Sequence, residues 1–202
     1  MTNGSPSADS EISVYIGLGS NLGDREANLH EAARRIRELG LRIARSSSVY
    51  ETEPVGFADQ PWFLNQVIEA KMVDGLESGG GPTIAGAETT ATIQAAAILS
   101  ELLEIERSMG RERTYVNGPR IIDLDLLLLG DKVVARSKSD GDWSFLDGNG
   151  VFVPHPRMHL RRFVLEPLCE IAPDLVHPIL KTPVRELLAR AGDKSRVRVH
   201  AR

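Results

Sequence analysis

The chain is poor in cysteine and in long apolar runs. It has a single cysteine, Cys169, among 202 residues, so an internal disulfide is excluded, and we expect a reducing compartment, the cytoplasm. A run of about 18 apolar residues is also missing, which predicts that no segment spans a membrane. Residues 1–11 lack the basic and apolar segments of a secretory signal, so we expect no export.

Positive charge is not in excess either. Lysine and arginine number 24 against 28 for aspartate and glutamate, which gives a net charge of −4. The chain therefore has no general attraction to nucleic acid or to anionic membranes, and a site for a polyanion has to be a local basic cluster. A hydrophobic content of 42% is enough for a core. We expect a monomer that folds on its own.

The pattern along the chain predicts a disordered tail over residues 1–11 and one domain over residues 12–202. Hydrophobic periodicity within the domain predicts six elements in the order βαββαβ. The predicted strands cover 12–20, 41–52, 62–73 and 121–130, and the predicted helices cover 24–39 and 93–109. This order is typical of an α+β, ferredoxin-like fold, with the helices on one side of a mainly antiparallel sheet.

Two segments interrupt the compact spacing of these elements. Residues 74–92 and 136–150 are rich in Gly, Ser, Thr and Asp, and we interpret both as surface insertions. The stretch "TPVRELLARAG" near the C-terminus predicts an additional terminal helix.

The stretch "GLGSNLG" follows a strand and precedes a helix, as a dinucleotide-binding motif does. Its glycines, Gly17, Gly19 and Gly23, have the spacing GxGxxxG instead of GxGxxG. A nicotinamide-dependent dehydrogenase is therefore disfavoured. We interpret the stretch as a tight turn in which Asn21 or Asp24 caps the helix.

The strand "IIDLDLLLLG" carries two carboxylates, Asp123 and Asp125, on one face, about 7 Å apart. Ile122, Leu124, Leu126 and Leu128 are predicted to point to the other, buried face. At an effective dielectric of about 20, the two charges repel by roughly 2.4 kcal/mol. A bound Mg²⁺ reverses that sign, whereas water and salt relieve it at an exposed strand end, and the strand alone leaves both interpretations open.

Basic residues flank the aspartate strand on both sides. Upstream are Arg111, Arg113 and Arg120, and downstream are His155, Arg157, Arg161 and Arg162. Arginine binds phosphate through two parallel hydrogen bonds, and Mg²⁺ held by aspartate bridges phosphate oxygens. In an acidic chain this clustering indicates a nucleotide phosphoryl-transfer site.

With these motifs, the sequence resembles the family of 6-hydroxymethyl-7,8-dihydropterin pyrophosphokinases. The resemblance rests on "YIGLGSNLGD", "SSVYETEPVGFADQPWFLN", "LLEIERSMGRER", "GPRIIDLDLLL" and "VPHPRMHLRRFVLEPL", in this order. It implies transfer of pyrophosphate from ATP to the pterin hydroxymethyl group in folate biosynthesis, with release of AMP, on a ferredoxin-like fold with two Mg²⁺ ions.

The resemblance also implies a role for each matching residue. Asp123 and Asp125 would hold both Mg²⁺ ions, and Arg111 and Arg113 would belong to a catalytic loop that closes over ATP. The implied ATP-binding residues are Glu106, Arg113, Arg120, Leu126, His155 and Arg161. The implied pterin-binding residues are Thr52, Val55, Phe63, Asn65 and Phe163, of which the two rings would sandwich the flat heterocycle.

Two substitutions depart from the pattern of many relatives. Asn117 replaces a tryptophan before Gly-Pro-Arg, which puts the aromatic contribution to loop closure in doubt, and Phe63 replaces a tyrosine and so loses a hydroxyl. The rival hypothesis is a non-catalytic ferredoxin-like module that binds RNA or nucleotide. Such modules present exposed aromatic residues on their sheet, where this chain presents aspartates.

Overall fold

The computed structural model describes residues 11–56, 59–73, 89–111, 118–137 and 150–201. The strands are β1 (Glu11–Ser20), β2 (Arg42–Ser46), β3 (Tyr50–Thr52), β4 (Phe63–Val73), β5 (Asp123–Leu129), β6 (Val134–Ser137), β7 (Gly150–Val153) and β8 (Val197–Val199). The helices are α1 (Arg25–Glu38), α2 (Thr90–Ser108), α3 (Arg162–Ile171) and α4 (Val184–Arg190), with a 3₁₀ turn at Met158–Leu160. Of the predicted tail, only Glu11 lies within the described residues, where it begins β1.

The main sheet has the order β5-β1-β4-β3-β8, with β2 also paired to β4, and the pairings of its strands are antiparallel. β1 is an interior strand between β5 and β4, which are the last and the third strand of the predicted βαββαβ unit. This arrangement confirms the ferredoxin-like prediction. It also brings the C-terminal ends of β1 and β3 and the N-terminal ends of β4 and β5 to one edge of the sheet.

One face of the sheet packs on α1 and α2, as the helical periodicity predicts. Asp24 is the N-cap of α1, and its side chain accepts a hydrogen bond from the backbone N of Ala27 (3.1 Å). Leu29 and Ile36 of α1 and Leu102 of α2 are almost fully buried in this larger core. The prediction that Asp24 caps the helix is therefore confirmed.

The two helices of the predicted βαββαβ unit thus lie on one side of the sheet, as expected, and two further helices cover the other face. α3 and α4 pack there on a second core that includes Tyr15, Val67 and Leu165. Successive strand residues point to opposite faces, and Val14 and Ile16 lie in the first core while Tyr15 lies in the second. The terminal helix predicted from "TPVRELLARAG" corresponds to α4. Among the described residues, no helix combines the length and the apolar character that crossing a bilayer requires.

The strand predicted over 41–52 is two strands, β2 and β3, which both pair with β4. The break lies at Ser47, whose backbone N donates to Val67 O (2.9 Å) while its Oγ accepts from Val67 N (3.1 Å). A serine hydroxyl thus replaces one step of the ladder, which hydrophobic patterning does not reveal.

The ends of the two predicted insertions belong to regular structure. Helix α2 already begins at Thr90, with Thr89 as its N-cap. Ser137 of β6 pairs with Gly150 of β7 in a two-stranded ribbon, so both ends of the second insertion belong to paired strands. Residues 74–88 and 138–149 lie outside the described residues.

A β-bulge interrupts the alternation in β5. Opposite β1, Tyr15 pairs with Leu128 and Ile16 pairs with Leu126, so Leu127 is the additional residue. Leu128 therefore packs in the second core, with Leu127, and the prediction that it shares a face with Leu124 and Leu126 is wrong. The faces of Asp123 and Asp125 are unaffected, because the bulge comes after them.

Candidate active site

Three strands place polar side chains in a row at the sheet edge. Gly19 of β1 pairs with Asp123 on one side and with Asn65 on the other. A Cβ atom on Gly19 would lie 2.8 Å from Oδ1 of Asn65, which is closer than a carbon and an oxygen can approach. The absence of a side chain at Gly19 therefore lets the Asn65 amide lie next to the aspartate strand.

Asp123 is surrounded by cationic groups. Nη1 of Arg111 lies 2.7 Å from its Oδ1, and Nε of Arg120 lies 3.5 Å from its Oδ2. The Nε of Arg120 is buried and makes no hydrogen bond to another described residue. A buried donor without a partner is unfavourable, so this arrangement suits an anionic ligand that accepts from Arg120.

Asp125 has looser contacts. Its carboxylate lies 3.9 Å from Nε2 of His155 and 4.0 Å from Nη1 of Arg161, beyond hydrogen-bond distance. Burial, and then repulsion from Asp123, raise the pKa of Asp125 to about 6. Burial, together with the nearby Arg161 guanidinium, lowers the pKa of His155 to about 4, so this imidazole is neutral at pH 7.

Glu106 of α2 links the helix layer to the aspartate strand. It is 2% exposed, accepts a hydrogen bond from the backbone N of Leu124 (2.6 Å) and forms an ion pair with Arg111. Burial raises its pKa to about 7, against the opposing effect of the Arg111 charge. Arg111 is therefore shared between a helix carboxylate and Asp123, which fixes its position at the start of the predicted catalytic loop.

A cavity of about 710 Å³ opens over this edge of the sheet. Eleven of the residues predicted for the site line it: Thr52, Val55, Phe63, Asn65, Arg111, Arg120, Asp123, Asp125, His155, Arg161 and Phe163. They come from segments between residues 52 and 163, and the sheet topology brings them together.

The cavity has an aromatic end. Phe63 begins β4 and Phe163 lies in the first turn of α3. Cζ of Arg120 lies 5.3 Å from the centroid of the Phe63 ring, and Cζ of Arg161 lies 5.4 Å from that of Phe163. Each ring therefore lies directly beside an arginine of the basic part of the site. A flat aromatic ligand and an anionic ligand can thus bind next to each other in this cavity.

Polar groups for recognition lie next to the rings. Asn65 and Thr52 are buried, and Nδ2 of Asn65 donates to Oγ1 of Thr52 (2.7 Å). This hydrogen bond fixes the orientation of the Asn65 amide. Val55 lies at the rim, 48% exposed.

Two described residues that were predicted for the site, Leu126 and Glu106, do not line the cavity, and a third, Arg113, lies outside the described residues. The side chain of Leu126 is buried in the first core, on the opposite face of the sheet. Glu106 lies behind Arg111 and acts through it. Arg113, like Asn117, falls in 112–117, outside the described residues.

Several lining residues were missed from the sequence. They include Gly17, Gly19, Gln60, Leu160 and Asp193, with Asn21 beside them, whereas Arg157, which lines the cavity as well, belongs to the basic cluster noted in the sequence. Asp193 accepts a hydrogen bond from the backbone N of Arg162 (2.9 Å), next to Phe163. The usable signal was the glycine at position 19, since a glycine inside a strand often marks a close approach of another group.

The donor set at the strand end fits Mg²⁺. Among the described residues, no group of three or more His, Cys, Asp or Glu side chains could hold a metal ion on its own. Mg²⁺ is commonly held by one or two carboxylates, with water and substrate phosphates as the remaining ligands. Asp123 and Asp125, with arginines close enough to bind phosphate, supply that partial set.

A ferredoxin-like sheet with two carboxylates at its edge, surrounded by arginines and adjoining an aromatic slot, has the features of a nucleotide-dependent phosphotransferase. A family model described as 7,8-dihydro-6-hydroxymethylpterin-pyrophosphokinase (HPPK) matches residues 15–77 and 84–173. The chain belongs to this family.

Curated relatives agree with the family model. The chain is 34% identical over 173 residues to 2-amino-4-hydroxy-6-hydroxymethyldihydropteridine pyrophosphokinase of Aquifex aeolicus. The aligned segment covers 86% of this chain and 88% of that protein. It is also 34% identical over 173 residues to the folic acid synthesis protein fol1 of Pneumocystis carinii, which covers 86% of this chain but only 19% of that protein.

A solved structure shows the same fold. Wild-type Plasmodium falciparum HPPK-DHPS, crystallised with pterin and p-hydroxybenzoate, superposes with a TM-score of 0.59 at 15% identity. The match covers 92% of this chain and 42% of that chain. The chain thus spans less than half of this structure and about a fifth of the fol1 protein.

Proposed function

We propose that the chain transfers the terminal pyrophosphate of ATP to the hydroxymethyl group of 6-hydroxymethyl-7,8-dihydropterin and releases AMP, as a step of folate biosynthesis. The observation that carries the proposal is the position of Asp123 and Asp125. They lie in one cavity between an arginine-rich part and a slot that contains Phe63 and Phe163. Family membership supplies the identity of the two substrates.

The triphosphate of ATP is proposed to bind the cationic part of the cavity. Arg111, Arg120 and Arg161 converge on the two carboxylates, and Arg120 has a buried donor to offer. His155 is neutral at pH 7, so it donates or accepts a single hydrogen bond without adding charge. Arg113 and Leu126 are retained as proposed nucleotide-binding residues, the latter through its backbone, and Glu106 as the residue that positions Arg111.

The pterin is proposed to bind the aromatic end. A flat heterocycle between Phe63 and Phe163 would displace water from both rings. Asn65 offers a carbonyl oxygen beside Gly19, and its Nδ2 is held by Thr52. An acceptor in a fixed orientation suits the amide edge of a pterin, and Val55 closes the rim of the slot.

Asp123 and Asp125 are the residues that would hold Mg²⁺, in the proposed number of two ions. When bound, the metal neutralises triphosphate charge and orients the phosphate for attack by the pterin hydroxyl. The protein's own contribution is positioning: the carboxylates and arginines are placed before the substrates arrive, so little reorganisation accompanies the reaction.

We further propose a cytoplasmic monomer in which residues 12–202 form one domain, preceded by a short tail. The described elements support this organisation, because β8 near the C-terminus pairs into the same sheet as β1. Neither the structure nor the comparisons give support for the RNA-binding alternative.

The test is an assay with purified protein, ATP, Mg²⁺ and the reduced hydroxymethyl pterin. The proposal predicts AMP release that requires both the pterin and the metal, and that stops when EDTA is added. AMP release independent of the pterin, or none where the Aquifex relative is active, would contradict it.

A further inference from the structure

The C-terminal strand β8 pairs with β3, and β3 and β4 carry residues of the proposed pterin slot. Thr52 of β3 pairs with Val197 of β8 on one side and with Phe63 of β4 on the other. The loop between β3 and β4, residues 53–62, is described except for 57 and 58. It contributes Glu53, Val55, Gly56 and Gln60 to the cavity wall.

Arg196, just before β8, contacts both ends of this loop. At the first end, Glu53 N donates to Arg196 O (3.0 Å), Arg196 N donates to Glu53 Oε2 (2.9 Å) and its Nη2 donates to Glu53 Oε1 (2.8 Å). At the last end, Cζ of the same guanidinium lies 4.8 Å from the centroid of the Trp62 ring. One side chain therefore bridges the first and last residues of the loop.

Arg198 adds a second cation at Trp62. Its Cζ lies 5.4 Å from the Trp62 ring, and its Nε donates to Oε2 of Glu51 (3.1 Å). The other oxygen of Glu51 accepts from Arg25 (3.3 Å), which also donates to the carbonyl oxygen of Trp62 (2.7 Å). The two C-terminal arginines thus contact the ring of Trp62, and Arg25 binds its backbone carbonyl oxygen. Glu51 accepts hydrogen bonds from both Arg198 and Arg25 and so links the two contacts.

We propose that Arg196 and Arg198 are positioning residues that hold Trp62, and through it the described loop residues 53–56 and 59–62, in the arrangement that binds the pterin. We call Arg196, Arg198 and Trp62 the C-terminal clamp. Trp62 immediately precedes Phe63, so a displaced tryptophan shifts a slot ring directly. Without the clamp, pterin binding has to order the loop, which weakens binding.

The inference rests on the proposed function and predicts an effect confined to one substrate. The proposed ATP-binding residues Arg111, Arg120 and Arg161 form ion pairs with Asp123 and Asp125, whereas the two clamp arginines pair with Glu53 and Glu51. The arginine side chains of the clamp are largely exposed, 72% for Arg196 and 69% for Arg198. Their effect on the fold should therefore be small.

The experiment compares steady-state kinetics of the double variant Arg196→Ala/Arg198→Ala and of Trp62→Leu with wild type. We expect the KM for the pterin to rise about fivefold to tenfold, as the loss of two exposed cation–π contacts implies, while the KM for ATP and kcat change by less than about twofold. Trp62→Phe keeps an aromatic face and should recover most of the affinity. Arg190→Ala, in an equally exposed ion pair with Glu186 on α4, is the matched control and should match wild type.

An unchanged pterin KM in folded clamp variants would overturn the inference, and so would an equal rise of both KM values. If wild-type protein released no AMP, the proposed function would fail instead. Calorimetric titration of the same variants with the pterin then decides the clamp separately: unchanged affinity overturns it and weakened affinity supports it. Melting temperatures identify a variant that fails to fold, and the single variants Arg196→Ala and Arg198→Ala then serve as the test.

Discussion

Asn21 and Arg120, far apart in sequence, are joined by two hydrogen bonds. The backbone N of Asn21 donates to the carbonyl oxygen of Arg120 (3.1 Å), and Oδ1 of Asn21 accepts from the backbone N of Arg120 (2.7 Å). Nδ2 of Asn21 also donates to the side chain of Gln60 and to the carbonyl oxygen of Pro61, at 3.0 Å each. One buried amide therefore ties the turn after β1 to the proposed phosphate-binding and pterin-binding segments.

We predict that Asn21→Ala lowers kcat/KM about tenfold, because Arg120 loses the hydrogen bond that places it and buried partners lose theirs. Steady-state kinetics with both substrates measures the effect. The control is Asn28→Ala in the first part of α1, whose side-chain amide donates to Ser20 Oγ and to the carbonyl oxygen of Leu22 in the same turn. Equal losses in the two variants would show that turn stability, and not the contact with Arg120, is responsible.

Removing the carboxylate of Asp125 should separate activity from stability. In Asp125→Asn we expect kcat to fall by about a thousandfold, because one of the two carboxylates proposed to hold the metal becomes a neutral amide. The melting temperature should stay the same or rise, since burial and repulsion from Asp123 already disfavour this charge, as its raised pKa shows. Asp131→Asn, at an exposed turn after β5, is the control. Near-normal turnover in Asp125→Asn would refute the metal assignment.

Two glycines of β1 provide a matched steric test of the slot. In Gly19→Ala the new Cβ would lie 2.8 Å from Oδ1 of Asn65, so the amide has to move, and we expect the pterin KM to rise about tenfold. In Gly17→Ala the new Cβ meets Leu127 at 3.6 Å, an ordinary contact, and the KM should stay near wild type. Similar effects of the two variants would show that the Asn65 amide does not govern pterin binding.

Glu69 should make stability depend on pH on the acid side. This carboxylate is 2% exposed, and although burial opposes it, the hydrogen bonds of Arg45, Lys71 and Ser13 lower its pKa from 4.5 to about 2. Because the folded pKa is the lower one, the stabilisation is complete above about pH 4.5 and is lost as pH falls towards 2, by about 3 kcal/mol in total. Urea unfolding between pH 2 and 7 measures this loss.

In the variant Glu69→Gln, the free energy of unfolding should change little as pH falls below about 4.5. The control is Glu11→Gln, whose ion pair with Arg42 is exposed, and its free energy of unfolding should fall with pH as that of wild type does. If Glu69→Gln lost as much stability at acid pH as wild type, other groups would cause the acid sensitivity.

The sequence was sufficient for the elements with strong periodicity and for the position of the two carboxylates on the aspartate strand. Alternation correctly placed Asp123 and Asp125 on one face, but it failed beyond them, because the bulge at Leu127 turns Leu128 to the other core. A bulge depends on the pairing with β1, so the strand's own pattern does not contain it.

The remaining differences also arise from tertiary contacts. The cover of the second face by α3 depends on packing against Tyr15 and Val67, far away in the chain. The short strand β8 alternates arginine and valine, and its role depends on the free edge that β3 offers. The resemblance supplied the site residues, whereas Gly19 and Asn21 emerged only from register and hydrogen bonding.

The most direct test of the central claim is the identity of the products. Wild-type protein is incubated with Mg²⁺, the reduced hydroxymethyl pterin and ATP whose non-bridging β- and γ-phosphoryl oxygens carry a heavy-oxygen label, and the products are separated and identified by mass spectrometry. Pyrophosphate transfer predicts a pterin diphosphate that carries both labels, with equimolar unlabelled AMP. A pterin monophosphate with only the γ label, accompanied by ADP, would contradict it.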